Sequence, residues 1–257
     1  VDHLSGRIVL DQDRISVHDI VGRAGEGQLR IDGTADLDNA EVTAFDFQID
    51  AADVAVDESL LAALPPAVRR RVQSFDPRGC VDAHTLLILD AASLELRHES
   101  DIRPNELTVT YDQFQLRVTD VSGRMHINAD RINIETINGR YNDAELSASG
   151  AIGLDPRLPS VEVSIRARNL LLDDSLREAA PQGVRAALSA WRVDDPIATD
   201  AQITSDPDNP DKLRCRAFAR LTGATVRHER FPLPFRDVRA SIHIDESGAQ
   251  AHGVSAR

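Results

Sequence analysis

Several groups of side chains in this chain have types and spacings that suggest chemistry. Gly22, Gly25 and Gly27 sit close together, as in loops whose backbone amides cradle a phosphate. Such a cradle needs a helix to follow, with its N-terminus facing the anion. Here Leu29-Arg30-Ile31-Asp32-Gly33 follows and reads as strand, so the glycines read as turn or bulge positions. Asp206, Asp208, Asn209 and Asp211 offer the oxygens that calcium takes. Pro207 and Pro210 interrupt them, and no Glu falls at the spacing a helix–loop–helix calcium site requires. The segment reads as a solvated turn. His126 and His243 each alternate with apolar neighbours and belong on a wet face, with no spacing that converges ligands on a metal. Arg69-Arg70-Arg71 suggests contact with lipid headgroups, but a cluster of this size reads first as a solvated helix face.

For catalysis the sequence holds no GxSxG, no HExxH and no Cys/His pair at a recognisable spacing. Its carboxylates are spread over turns and polar strand positions, and no pair stands out for general acid–base work. The expectation is a non-enzymatic chain without metal or cofactor. Cys80 and Cys215 fall at non-equivalent places in the internal repeat described below, so they are neither a repeated metal site nor a repeated disulfide.

The elements that position these residues follow a repeat. Leu4-Ser5-Gly6-Arg7 returns as Val121-Ser122-Gly123-Arg124, Asp13-Arg14-Ile15 as Asp130-Arg131-Ile132, and Gly33 as Gly150. The offset is constant at 117, and 12 of the 34 positions from Leu4 to Leu37 are identical. A third copy begins where Phe114, Asp120-Val121, His126 and Ile127 recur as Phe231, Asp237-Val238, His243 and Ile244. The copies span 1–117, 118–234 and 235–257, the last cut in mid-repeat. A fixed period of this kind marks an array. Together with the missing initial methionine, it suggests a piece of a longer protein.

Within each copy the dominant period is two. Phe45, Phe47 and Ile49 alternate with Asp46, Gln48 and Asp50, and Val161, Val163 and Ile165 alternate with Glu162, Ser164 and Arg166. This predicts antiparallel strands with one dry and one wet face. Asp11-Gln12-Asp13, Asn128-Ala129-Asp130, Asn138-Gly139 and Asp155-Pro156 are expected as the tight links. A helical insert interrupts the strands once per copy, at 57–75 and 173–191. Asp57 and Asp173 suit the N-caps, Pro65 and Pro181 should break each helix, and Val68, Val72, Phe75 match Val184, Leu188, Trp191 as an apolar stripe.

The phrase from Val121 to Ile127, then Ile132-Asn133-Ile134, Gly139-Arg140 and Leu146-Ser147-Ala148-Ser149-Gly150, resembles the recurring strand–turn–strand unit of AsmA-like proteins, TamB-like ones included. Pro232 to Val238, followed by Ile242-His243-Ile244, resembles the entry into the next such unit. The resemblance implies a mainly β fold: a long, twisted antiparallel sheet of repeated meanders, curled into an open U-shaped groove with an apolar concave face. It further implies a bacterial envelope location, usually periplasmic and tethered by a membrane helix outside this chain. It implies phospholipid movement between membranes or help in outer-membrane assembly, and no catalytic residues. The helical inserts interrupt the strands more than a plain groove needs, and are expected to cap, gate or brace it.

On this reading the lining candidates are Phe45, Phe47, Ile49, Val109, Met125, Ile127, Ile132, Ile134, Leu146, Val161, Val163 and Ile165. Their partner would be a phospholipid or another acyl-chain lipid, with an envelope protein as a further partner. The net charge of −13 argues against nucleic acid. The alternative from periodicity alone is that the same residues are closed core of a repetitive β-scaffold or protein-interaction module, since alternating strands usually bury their dry face.

Overall fold

In a computed structural model of the chain, the alternating segments become strands paired almost entirely with their sequence neighbours. The structure describes residues 2–39, 41–64, 66–111, 116–155, 160–180, 185, 188, 190–206, 209, 212–245 and 247–257. The first copy holds β1 (Asp2–Asp11), β2 (Arg14–Ala24), β3 (Gly27–Asp38), β4 (Glu41–Ala55), the helices α1 (Glu58–Ala63) and α2 (Pro66–Gln73), β5 (Arg78–Leu89) and β6 (Leu96–Tyr111). Next come β7 (Leu116–Asn128), β8 (Arg131–Tyr141), β9 (Ala144–Gly153), β10 (Val161–Leu170), the helix α3 (Asp174–Ala179), β11 (Trp191–Val193), β12 (Ile197–Ser205) and β13 (Leu213–His228). The chain ends with β14 (Phe231–Asp245) and β15 (Gly248–Ser255).

All of these strands form one antiparallel sheet in the order of the chain, from β1 to β15, with only β11 off the path, paired to β13. β1 and β15 are its two ends, so it is open rather than closed into a barrel. The sequence repeat boundaries at 117 and 234 fall inside β7 and β14, and the copies therefore share one continuous sheet.

The curl of the sheet comes from bulges, which bend a strand and raise its twist. Register shifts interrupt most of the strand pairs, for example β4 with β5 between Ala51 and Val54, and β6 with β7 between Ile102 and Leu107. The bulged residues hold positive φ, and they recur with the repeat. His3, Asp120 and Asp237 have φ of 56°, 54° and 50°; Asp53 and Asn169 have 51° and 57°. Asp and Asn tolerate this region better than most residues, so the repeated bends are written into the repeated sequence. Gly33 and Gly150 serve a different need. A Cβ there would lie 2.3 Å from the Asp46 carbonyl oxygen and 2.1 Å from that of Glu162, so only glycine lets the neighbouring strands approach.

Asn138-Gly139 is not the turn its composition suggests. Both residues lie inside β8, and the β8–β9 turn is Asn142-Asp143. Asn138 and Gly139 pair with Ser147 and Leu146 of β9, and the glycine leaves room for Val118, whose Cγ1 would lie 2.7 Å from a Cβ at this position. Asp11-Gln12-Asp13 and Asn128-Ala129-Asp130 do link strands. Asp155 follows β9, and Pro156 lies outside the described residues.

The helical inserts repeat down to their caps. Asp57 and Asp173 each accept, at 2.9 Å, the third backbone N–H beyond them, from Leu60 and Leu176. At the other end Arg69 donates to the Leu64 carbonyl at 3.0 Å, and its equivalent Arg185 donates to that of Ala180 at 3.2 Å. Pro65, Pro181 and Val184 lie outside the described residues. Trp191 departs from the expected helical stripe. It opens β11, opposite His228, and its ring meets His228 at 4.5 Å and Phe235 at 6.2 Å. Pairing with β13 and an aromatic neighbourhood outweigh helical continuation there.

Candidate functional site: an apolar trough face

Residues directly opposite one another in an antiparallel sheet share a face, and here the registers chain them into rows across many strands. One row runs from Ile31 through Ile49, Thr85, Ser100, Ile127, Ile132 and Ile152 to Val161. A parallel row joins Ile102, Met125, Ile134, Gly150, Val163 and Ile203. Phe47 stands between Gly33 and Leu87, Phe45 between Ala35 and Leu89, Ile165 between Ala148 and Ala201, and Leu146 between Gly139 and Ala167. Val109 faces Val118, whose side chain approaches Gly139 on the same side. The structure therefore brings every expected lining residue to one face.

That face is not uniformly open. Ile127 and Ile132 are buried, and Val68 of α2 packs on them together with Leu154, with Leu64, Val72, Met125 and Ile134 around it. The first insert thus lies across the apolar side of β7–β9. Leu176 of the second insert, and Leu172 just before it, pack against a separate buried cluster that includes Ala167, Leu170, Ile197 and Ala219. Phe45, Phe47, Ile49, Val161, Val163 and Ile165 belong to neither cluster and are half-buried. Leu146 is half-buried at the margin of the second cluster, and Val109 is half-buried near the end of β6.

The opposite face carries charge. Asp50 lies 2.7 Å from His84 Nδ1 and Asp101 lies 3.2 Å from His126 Nδ1, while Arg14 pairs with Asp36 at 2.7 Å. The bond from His84, then that from Gln48, holds the Asp50 carboxyl below its ordinary range. In the second copy the positions of Asp50 and His84 hold Arg166 and Asp200, again paired, at 2.8 Å. The cross-strand pairing is kept while the chemistry changes, which is the behaviour of a solvated sheet surface rather than of a conserved site geometry. His126 is half-buried against Asp101, and His243 is exposed with its ring 5.0 Å from Phe218. No group of three or more His, Cys, Asp or Glu among the described residues is placed to hold a metal ion.

Two expectations about charged residues are corrected. Asp206 is not on a solvated turn: it is 7 % exposed and bonds Arg214 Nε at 3.0 Å. Asp208 and Asp211 lie outside the described residues, and Asn209 is exposed. Of the arginine run, Arg70 is exposed, whereas Arg69 is half-buried because it folds back on the carbonyls of Ala62 and Leu64. Arg71 is helical, its side chain outside the described residues. The glycines behave as read: Gly25 takes φ +63° in the β2–β3 turn, and β3 follows directly. Cys80 and Cys215 are half-buried on β5 and β13, far apart in the strand order, so no disulfide joins them.

One feature of the apolar face is absent from the expectations. Thr85 Oγ1 lies 2.9 Å from Ser100 Oγ, which lies 2.9 Å from Nε2 of His98. Ser100 is 4 % exposed and His98 half-buried. Burial pushes the His98 imidazole below its ordinary pKa, with a further contribution from His126. The signal was available: β6 places Leu96, His98, Ser100 and Ile102 on one face, so two successive dry positions are polar.

The chain matches no family model, and comparison with curated proteins and with solved structures finds no match.

Proposed function

We propose that this chain is a segment of a non-enzymatic bacterial envelope protein that shields lipid tails in an apolar β-trough. The carrying observation is the largely apolar face of a sheet that does not close, left half-exposed at Phe45, Phe47, Ile49, Val161, Val163 and Ile165. Each methylene moved from water onto such a surface gains ~0.8 kcal/mol, so one acyl chain spanning several strands is held without any directed bond. Rows of aliphatic residues repeat at the strand spacing of ~4.8 Å. A tail shifted by one strand meets a near-equivalent lining, which suits sliding more than tight retention. Headgroups would stay in water at the trough rim. The periplasmic setting, the anchor outside this chain, and a role in phospholipid transport or outer-membrane assembly rest on the AsmA-like cadence of the sequence.

A second reading is a β-scaffold that binds protein partners, and the burial of Ile127 and Ile132 beneath Val68 favours it for that part of the sheet. Native mass spectrometry with lipid extraction separates the two. Co-purified phospholipid that is lost in Phe47→Asp or Val163→Asp, with the fold retained, supports the trough. A lipid-free mass, with both substitutions unfolding the chain, assigns these residues to closed core and the protein to the scaffold class.

A further inference from the structure

The hydrogen-bonded trio Thr85, Ser100 and His98 interrupts an otherwise apolar face. The structural frame does not require it. In the second copy the positions of Thr85, Ser100 and His98 are held by Ala201, Ala217 and Cys215, and the strands pair in the same way: Thr85 opposite Ser100 and Leu87 opposite His98, as Ala201 opposite Ala217 and Ile203 opposite Cys215. The same sheet is thus built once with a polar notch and once with small side chains.

The notch also has a direction. An imidazole held neutral by burial donates from one nitrogen and accepts at the other. When Thr85 donates to Ser100 and Ser100 to Nε2, the remaining proton sits on Nδ1, and Nδ1 has no partner among the described residues. Successive bonds of this kind polarise one another, so the terminal N–H is a better donor than an isolated imidazole. Beside it on the same face run Leu87 and Phe47, while Ile49 flanks Thr85 and Ile127 flanks Ser100. A single acceptor oxygen at the end of an apolar chain satisfies both parts. An acyl-transfer role is not favoured: Ser100 is almost fully buried, and no carboxylate among the described residues bonds His98.

We infer that Thr85, Ser100 and His98 form a binding notch for the oxygen-bearing end of an acyl chain, a carboxyl or an ester carbonyl, whose tail lies over Leu87 and Phe47. This rests on the trough reading above and makes it specific: lipid slides along most of the face and pauses here, beside the insert that covers Ile127 and Ile132.

The test is fluorescence titration of the whole chain with cis-parinaric acid and with its methyl ester. His98→Leu and Ser100→Ala should weaken binding about fivefold to tenfold, the effect of losing one hydrogen bond. Circular dichroism should stay unchanged. Should both variants fail to fold, the triple change A201T, C215H, A217S decides: it rebuilds the notch in the second copy and should raise the number of tight sites from one to two. Unchanged affinity in folded variants, or no second site in the rebuilt chain, overturns the notch and leaves the trough intact. No binding by the unaltered chain overturns both. Tight binding of the acid alone identifies a free fatty acid; equal binding of the ester identifies an esterified lipid.

Discussion

Tyr141 donates its phenol to both carboxylate oxygens of Asp173, at 3.1 and 2.8 Å. Asp173 is also the N-cap of α3, so one buried tyrosine ties the second insert to the β8–β9 turn. The equivalent of Tyr141 in the first copy is Ala24, and α1 lacks this tie. Burial first, then the bond to Asp173, pushes the phenol pKa up to about 12. A raised folded-state pKa means that the contribution is complete below the unfolded value of ~10 and is lost as pH rises through the folded value. Tyr141→Phe should therefore cost about 1.5–3 kcal/mol at neutral pH, the range for a hydrogen bond to a charged group. The loss of stability between pH 10 and 12 should be shallower in the variant. Urea unfolding across that pH range measures both.

Phe47 and Ile132 occupy the same face with different cover. Phe47 is half-buried and outside the buried clusters, whereas Ile132 lies under Val68. Phe47→Asp is expected to leave a cooperative thermal transition and abolish lipid retention. Ile132→Asp buries an unpaired carboxylate, which costs several kcal/mol, and should prevent folding. Equal behaviour of the two would place them in the same environment and count against the trough.

Gly150 faces the Glu162 carbonyl too closely for any Cβ, and its φ is +143°. Gly150→Ala should destabilise the chain by about 1–3 kcal/mol, the usual cost of forcing extra volume into a packed position. The equivalent change Gly33→Ala should cost a similar amount, because its Cβ meets Asp46 and Phe47 in the same way. Denaturant midpoints of the two variants test the equivalence.

Asp50 supplies an acid-side signature. Its folded carboxyl is lowered, chiefly by His84. Its contribution is therefore present above the unfolded value of ~3.9 and lost as pH falls through the lowered one. Asp50→Asn should lower neutral stability by no more than about 1 kcal/mol, the range for an exposed pair, and the difference from the unaltered chain should vanish as pH falls below ~4. Thermal melts in acidic buffers follow this directly.

The sequence by itself determined the period, the two faces of the strands and the caps of the inserts. Alternation, Asp57 and Asp173, and the repeated glycines act through neighbours a few residues away, and local rules read them correctly. The mainly β, repeated character of the sheet follows from the same local signals, whereas its openness follows from the pairing of the strands, which leaves β1 and β15 as free ends. Contacts between distant segments decided the rest. Asn138-Gly139 pairs with β9, Trp191 pairs with β13, Asp206 finds Arg214, and Arg69 turns back on α1. Which part of the dry face is covered depends on where Val68 lands, and that position is set by tertiary packing. The His98–Ser100–Thr85 chain is intermediate: β6 placed two of its members on one face, but only the register of β5 against β6 set Thr85 opposite Ser100. Side-chain pairs across strands are settled by register and bulges, and these depend on the whole sheet rather than on any one segment.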